Sequence, residues 1–109
     1  MSELKINDFA KEVHENAVKH GWWDEERSFG EIIALCYSEL SEALEEYRGK
    51  KDILYYNEGK PEGIAVEMAD CIIRILDWAA KNEIDLEFVM QLKHKYNVTR
   101  PYRHGGKVI

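Results

Sequence analysis

The segment from Pro61 to Asn82 constrains the fold more than any other part of the chain. At about 100° per residue, its apolar side chains cover nearly the whole circumference of a helix, and such a helix is buried on all sides. A chain of 109 residues with four helices cannot easily surround one of its own members. We therefore expect a homo-oligomer, with a two-fold axis as the most common arrangement. The alternative is a tightly wrapped central helix within a monomer.

Two other segments show the apolar spacing of three and four residues that is typical of amphipathic helices. The first runs from Asn7 to His20, with Asn7 or Asp8 as its N-cap and Gly21 at its C-terminal stop. The last follows Asp85, which can cap it. One face of this last helix is predicted to carry Phe88, Val89, Leu92 and Tyr96.

A further helix is indicated by the sequence from Ser28 to Glu31, which matches a capping box. Its apolar residues continue with helical spacing until Gly49. Residues 49–61 are mostly polar and show no alternating strand pattern, so a polar connector is predicted there. Pro61 suits the first turn of the helix that follows.

These elements predict a single domain over residues 1–109, an all-α four-helix bundle with an irregular tail over residues 99–109. The formal net charge of −6 disfavours binding to nucleic acid or to an anionic membrane surface. No signal peptide or membrane span is visible. Cys36 and Cys71 stand apart among aliphatic residues, as is typical of buried thiols in a cytoplasmic protein.

Acidic residues interrupt the apolar arcs of the second and third helices. The spacing of three residues places Glu39 beside Glu42, and Glu67 beside Asp70. If the two helices are antiparallel neighbours, these four carboxylates converge, and like charges against an apolar wall need a compensating cation. A single Glu-x-x-Glu pair is more typical of a solvated helix face. Two pairs that each intrude on an apolar arc favour a metal site.

The ligand types indicate which cation the site would select. Positions 42 and 70 are acidic, and no histidine lies near them in sequence, so the Glu-x-x-His pattern of di-iron bundles is not matched. Oxygen ligands select Mg²⁺, with Mn²⁺ as its substitute. Because Mg²⁺ usually takes phosphate oxygens as well, the acidic residues predict a phosphorylated substrate.

Aromatic and basic residues offer contacts for such a substrate. Trp22 and Trp23 lie in a predicted loop, where one of them could stack on a base, although a hydrophobic plug over the end of the bundle explains the pair equally well. Lys93 and Asn97 share a face of the last helix and are followed by Arg100, a set that suits phosphate oxygens. The alternative role for these basic residues is to compensate the helix dipole.

The chain resembles the MazG-like, all-α nucleoside triphosphate pyrophosphatases over roughly residues 20 to 103. The resemblance rests on the order, helix assignment and spacing of short motifs rather than on any one of them. These motifs are Trp23-Asp24, Glu39-Leu-Ser-Glu42, Glu67-Met-Ala-Asp70, Lys93-x-x-x-Asn97 and Arg100-Pro-Tyr102.

The resemblance implies a Mg²⁺-dependent four-helix core that assembles as a dimer or tetramer. Members cleave nucleoside triphosphates, including deoxy forms, to the monophosphate and pyrophosphate, often to clean the nucleotide pool. By the same resemblance, the metal ligands are Glu39, Glu42, Glu67 and Asp70, the triphosphate contacts are Lys93, Asn97 and Arg100, and the base contacts are Trp23 and Tyr47.

Metal-assisted hydrolysis fits both the residues and the resemblance. Metal ions would neutralise phosphate charge and activate a water that attacks the α-phosphorus, and Glu42 or Glu39 would relay the proton. Two rival functions stay open at this stage. One is a catalytically silent MazG-like module that binds nucleotide or a partner protein, and the other is a helical interaction domain without a ligand site.

Overall fold

The computed structural model describes residues 4–102, which form four α-helices and one small antiparallel sheet. The predicted all-α class is therefore confirmed for this part of the chain, whereas residues 103–109 of the expected tail lie outside it. No helix within residues 4–102 has the length and apolar character needed to cross a membrane. In chain order the elements are α1 (Ile6–Lys19), α2 (Phe29–Arg48), β1 (Tyr55–Asn57), β2 (Lys60–Glu62), α3 (Ile64–Lys81) and α4 (Leu86–Val98).

Helix α3 lies at the centre of the fold and packs against both α1 and α2. The core joins Ile32 and Cys36 of α2 to Cys71 of α3, and two partly buried tryptophans, Trp23 and Trp78, pack against it. Both cysteines are buried and free, as the sequence predicted. The outer side of α3 stays uncovered in the single chain, since Ile72 is 55% exposed.

Local capping explains where α2 and α4 begin. The Ser28 hydroxyl accepts a hydrogen bond from the backbone N–H of Glu31, and the Asp85 carboxylate accepts one from the N–H of Phe88, both as predicted. Gly21 has φ +83° just beyond α1, the left-handed conformation that glycine adopts without a Cβ clash.

The start of α1 differs from the prediction. Its N-cap residue is Lys5, not Asn7 or Asp8. The side chain of Asn7 instead donates to Asp85 at 2.7 Å and accepts from the N–H of Glu87, while the Glu87 carboxylate accepts from the N–H of Asn7 at 2.7 Å. The two helices thus satisfy each other's N-terminal donors, an arrangement that only tertiary contact creates.

Helix α4 packs mainly against α1 and contains no buried residue. The apolar face predicted for it exists, but it is open to solvent. Among its side chains Phe88, Leu92 and Tyr96 are each 58% exposed. One chain therefore leaves this face without the apolar cover that an amphipathic helix normally has.

The predicted polar connector over residues 49–61 is wrong from residue 55 onwards, because residues 55–62 form a β-hairpin. Glu58 and Gly59 both have positive φ, as in the tight two-residue turns that join hairpin strands. Pro61 lies in β2 opposite Tyr56, not in the first turn of α3. The strands are three residues long, too short for side-chain alternation to reveal them.

Candidate metal centre and adjoining groove

Carboxylates from α2 and α3 meet at the contact between these two helices. Oxygen atoms of Glu39, Glu67 and Asp70 all lie within 4.8 Å of one another. Glu42 is outside this tightest group, but it contributes to the raised pKa of Glu67. We call Glu39, Glu42, Glu67 and Asp70 the acidic cluster. The spacing of three residues on each helix and the packing of α2 on α3 together produce it.

The surroundings of Glu67 in the acidic cluster disfavour its charged form. Its Oε2 atom is buried, and no donor within residues 4–102 forms a hydrogen bond to it. Burial, followed by the effects of Glu42, Glu39 and Asp70, raises the pKa of Glu67 to about 7. A buried oxygen without a donor costs free energy unless a proton or a cation reaches it.

The pKa of Asp70 is raised as well. Burial raises its pKa, followed by the charge of Glu39, while the charge of Arg74 opposes the rise. The acidic cluster thus favours positive charge in either form, as bound protons or as a metal ion. Its donors are carboxylate oxygens alone, the ligand type that suits Mg²⁺ and Mn²⁺. On both grounds the residues fit such an ion.

Arg74 pairs with the acidic cluster through Glu39. Its Nε donates a hydrogen bond to Oε1 of Glu39 at 2.9 Å, and its Nη2 forms an ion pair with the same oxygen at 2.9 Å. Glu39 is buried, and this contact with the Arg74 guanidinium compensates its negative charge. One guanidinium cannot satisfy four carboxylates, and Oε2 of Glu67 has no hydrogen-bond partner within residues 4–102.

A groove of about 560 Å³ lies beside the acidic cluster, between α1 and α3. Its walls combine apolar side chains with polar groups that can form hydrogen bonds. Glu39 and Asp70 of the acidic cluster line the groove, together with Arg74. The other lining residues are Phe9, Glu12, Val13, Asn16, Ala17, Trp22, Ile73 and Asp77.

The two adjacent tryptophans have different positions. Trp22 lines the groove, and two guanidinium groups lie near its ring, that of Arg27 at 3.5 Å from a ring centroid and that of Arg74 at 5.0 Å. Trp23 packs against the core, and its Nε1 donates to both oxygens of buried Asp77 at 3.0 and 3.1 Å. Of the pair, Trp22 and not Trp23 therefore lines this groove.

His14 completes the anchor of Trp23. Its Nδ1 lies 2.7 Å from Oδ1 of Asp77, so this buried carboxylate holds α1 and the tryptophan loop onto α3. Sequence spacing could not reveal the contact, because the two residues of the pair are 63 positions apart.

None of the five residues predicted to contact substrate lines the groove in the single chain, and Trp23 packs against the core instead. Tyr47 is 69% exposed near the end of α2. Lys93 and Asn97 lie on α4, where Lys93 Nζ is 4.8 Å from the ring centroid of Tyr96, and Arg100 follows that helix. Within residues 4–102, α4 contributes nothing to the groove wall. Their roles stay predictions.

Sequence reasoning assigned no substrate role to the groove residues Arg74 and Asn16. For Arg74 a sign was available, since it follows Asp70 by four residues and so shares its helix face. For Asn16 the sequence held no comparable sign. The groove forms only where α1 crosses α3, and helical spacing within one segment does not report that crossing.

Comparison of the chain with models of known protein families, with curated proteins and with solved structures gives no match. The function must therefore be argued from the acidic cluster and the groove.

Replacing Glu67 by glutamine should stabilise the metal-free chain at pH 8 by about 1 kcal/mol, because it removes a buried negative charge that has no donor. The pKa of Glu67, about 7 in the native state, exceeds the ordinary value of 4.5. Between these values the native chain binds more protons than the unfolded chain, so its stability falls as the pH rises. Near pH 5, where native Glu67 holds its proton, the difference should largely vanish.

Melting curves in chelator at pH 5 and pH 8 test this expectation. At pH 8 the variant should melt roughly 5 °C above the parent. Millimolar Mg²⁺ should then raise the melting temperature of the parent more than that of the variant. Glu45→Gln makes the same change at an exposed site on α2 and serves as control. A lower melting temperature for Glu67→Gln at pH 8 would show that Glu67 has a stabilising native partner.

Proposed function

We propose that the chain is a Mg²⁺-dependent nucleoside triphosphate pyrophosphohydrolase that converts (d)NTP to (d)NMP and pyrophosphate. One observation carries the proposal. Glu39, Glu67 and Asp70 converge beside an open groove, and Glu67 presents a buried oxygen that no donor within residues 4–102 satisfies. The MazG-like motifs in the sequence suggest the same reaction.

The acidic cluster would hold the metal ions, with Glu39, Glu67 and Asp70 as ligands and Glu42 next to Glu67. Bound Mg²⁺ supplies a Lewis acid for phosphate oxygens and lowers the pKa of a coordinated water. The chain itself supplies the carboxylates that orient the site and accept the proton released from the attacking water. Glu42 and Glu39 are the proposed relays, and the exposure of Glu42 gives it the freer route to solvent.

The groove would hold the nucleoside beside the acidic cluster. Trp22 would stack on a base with the part of its ring that the guanidinium groups of Arg27 and Arg74 leave open, and Phe9 and Val13 add apolar wall. Asn16 and Glu12 provide polar groups for the base edge or the sugar. We therefore propose Trp22 as the stacking residue in preference to Trp23, whose indole N–H is already bound to Asp77.

We also propose that the chain assembles as a homo-oligomer, a dimer or a tetramer. The support is the apolar surface that a single chain leaves exposed on three helices. It includes Leu40 and Leu44 of α2, Met68, Ile72 and Ile75 of α3, and Phe88, Leu92 and Tyr96 of α4. Exposed apolar surface of this extent typically marks an interaction site. Sedimentation equilibrium measures the mass directly, and a monomer at micromolar concentration contradicts the proposal.

The reaction is tested by incubating the chain with each of the common ribo- and deoxyribonucleoside triphosphates in Mg²⁺. Anion-exchange chromatography should show the monophosphate, with pyrophosphate in equal amount, for at least one substrate. Chelator should stop the reaction. Formation of a diphosphate and orthophosphate would contradict cleavage between the α and β phosphates.

The same panel separates the enzyme from its rivals. A catalytically silent module would bind a nucleotide without releasing pyrophosphate. A helical interaction domain without a ligand site would neither bind nucleotide nor gain stability from Mg²⁺, since only a ligand that binds the folded state raises the melting temperature.

A further inference from the structure

We infer that Arg74 is a substrate-binding residue that exchanges one anion for another, holding Glu39 in the metal-free chain and the phosphate oxygens of the nucleotide in the loaded one. The inference rests on the proposed function and adds to it a residue that the sequence motifs do not include.

The contact that holds Arg74 to Glu39 can be broken when a cation binds nearby. The hydrogen bond from Nε of Arg74 and its ion pair through Nη2 both end on one oxygen, Oε1 of Glu39, each at 2.9 Å. Such a contact neutralises part of the negative charge of Glu39 and makes that carboxylate a poorer ligand. A cation that enters the acidic cluster competes with the guanidinium for Glu39 and repels it as well. Metal binding therefore weakens the contact that holds Arg74.

The released guanidinium has a suitable second partner. Arg74 lines the groove together with Asp70, and its side chain is 28% exposed, so it can be reached from the groove. The ring of Trp22 lies 5.0 Å from its guanidinium and offers a face that keeps the cation at the groove wall. A triphosphate held by metal ions on the acidic cluster would lie against this wall. Arginine binds phosphate through the same planar fork with which it binds carboxylate.

The exchange predicts two opposite effects of one substitution. Arg74→Gln removes a positive charge that opposes the metal ion, so the dissociation constant of Mn²⁺ alone should fall by about 5- to 10-fold. The same variant loses a charge-assisted contact to phosphate. At saturating Mg²⁺, the dissociation constant of an α,β-methylene deoxynucleoside triphosphate should rise by about 10- to 100-fold.

Isothermal titration calorimetry measures both constants, with Mn²⁺ in one experiment and each of the four α,β-methylene deoxynucleoside triphosphates in the other. Arg48→Gln is the matched control. It also removes one arginine charge and one ion pair, the pair between Arg48 and Glu45, but at an exposed position on α2. It should change neither constant. Arg74→Lys keeps the charge but not the fork, so it should bind Mn²⁺ like the parent and nucleotide more weakly.

The possible results are distinct. Weaker binding of both ligands by Arg74→Gln would show that Arg74 only positions Glu39, and it would overturn the inference. Nucleotide binding unchanged in both Arg74 variants would also overturn it. Arg74→Lys keeps the test valid if Arg74→Gln does not fold. If the parent chain binds no Mn²⁺, the proposed function itself fails, whatever the Arg74 variants do.

Discussion

Asp70→Asn is expected to reduce pyrophosphate release by at least about 10³-fold, the largest effect we predict on activity. Asp70 contributes one of the three carboxylate oxygens that lie within 4.8 Å of one another. The carboxamide keeps the size of the side chain but loses the charge that attracts Mg²⁺. Losing several kcal/mol of metal-based stabilisation in the transition state corresponds to a rate loss of this order.

Glu39→Gln should have an effect of similar size, and α2 offers its control. Glu45→Gln makes the same substitution on the same helix, at an exposed residue that pairs only with Arg48 among the contacts described. It should leave the rate unchanged. Helical circular dichroism should match the parent in all three variants, so that a lost rate reports the site and not unfolding. Substantial activity in both Asp70→Asn and Glu39→Gln would contradict the metal assignment.

Gly63→Ala is expected to give the largest loss of stability, about 3 kcal/mol. Gly63 precedes α3 with φ +120°, a conformation that residues with a Cβ rarely adopt. A Cβ there would lie 2.2 Å from the carbonyl oxygen of Ile53. That carbonyl also accepts a hydrogen bond from the N–H of Ala65 at 3.1 Å, so relieving the clash disturbs the start of the helix that carries Glu67 and Asp70.

Thermal melting should show a drop of roughly 15 °C for Gly63→Ala, following the size of the free-energy change. Gly59→Ala is the control. Gly59 also has positive φ, +82°, but nothing lies within 4 Å of a Cβ built on it. It should lose about 1 kcal/mol from backbone strain alone. Equal losses in the two variants would mean that the close approach to Ile53 contributes nothing.

Features that depend on neighbours in sequence could be predicted. The four helices, the caps formed by Ser28 and Asp85 and the glycine after α1 follow from helical spacing and from hydrogen bonds that reach three residues along the chain. The pairing of Glu39 with Glu42 and of Glu67 with Asp70 has the same origin. Once α2 packs on α3, these pairs have to meet.

Features that depend on distant contacts could not be predicted. The side chain of Asn7 caps nothing in its own helix, because it binds the Asp85 carboxylate and the backbone N–H of Glu87 instead. The hairpin could not be predicted because two three-residue strands carry no periodic pattern. Its turn also has Glu58 before Gly59, whereas an Asn-Gly pair at this place would indicate a two-residue hairpin turn more clearly.

The sequence by itself determined the helical class and the carboxylates that can act as metal ligands. Both follow from spacing along a helix, which is a local property of the chain. Only the tertiary structure decided the rest of the candidate site. Trp22 and Trp23 are chemically identical neighbours, and Asp77 binds the indole of Trp23 while Trp22 lines the groove. Arg74 became part of the site because its guanidinium meets Glu39 across the contact of α2 with α3, a geometry that no single helix contains.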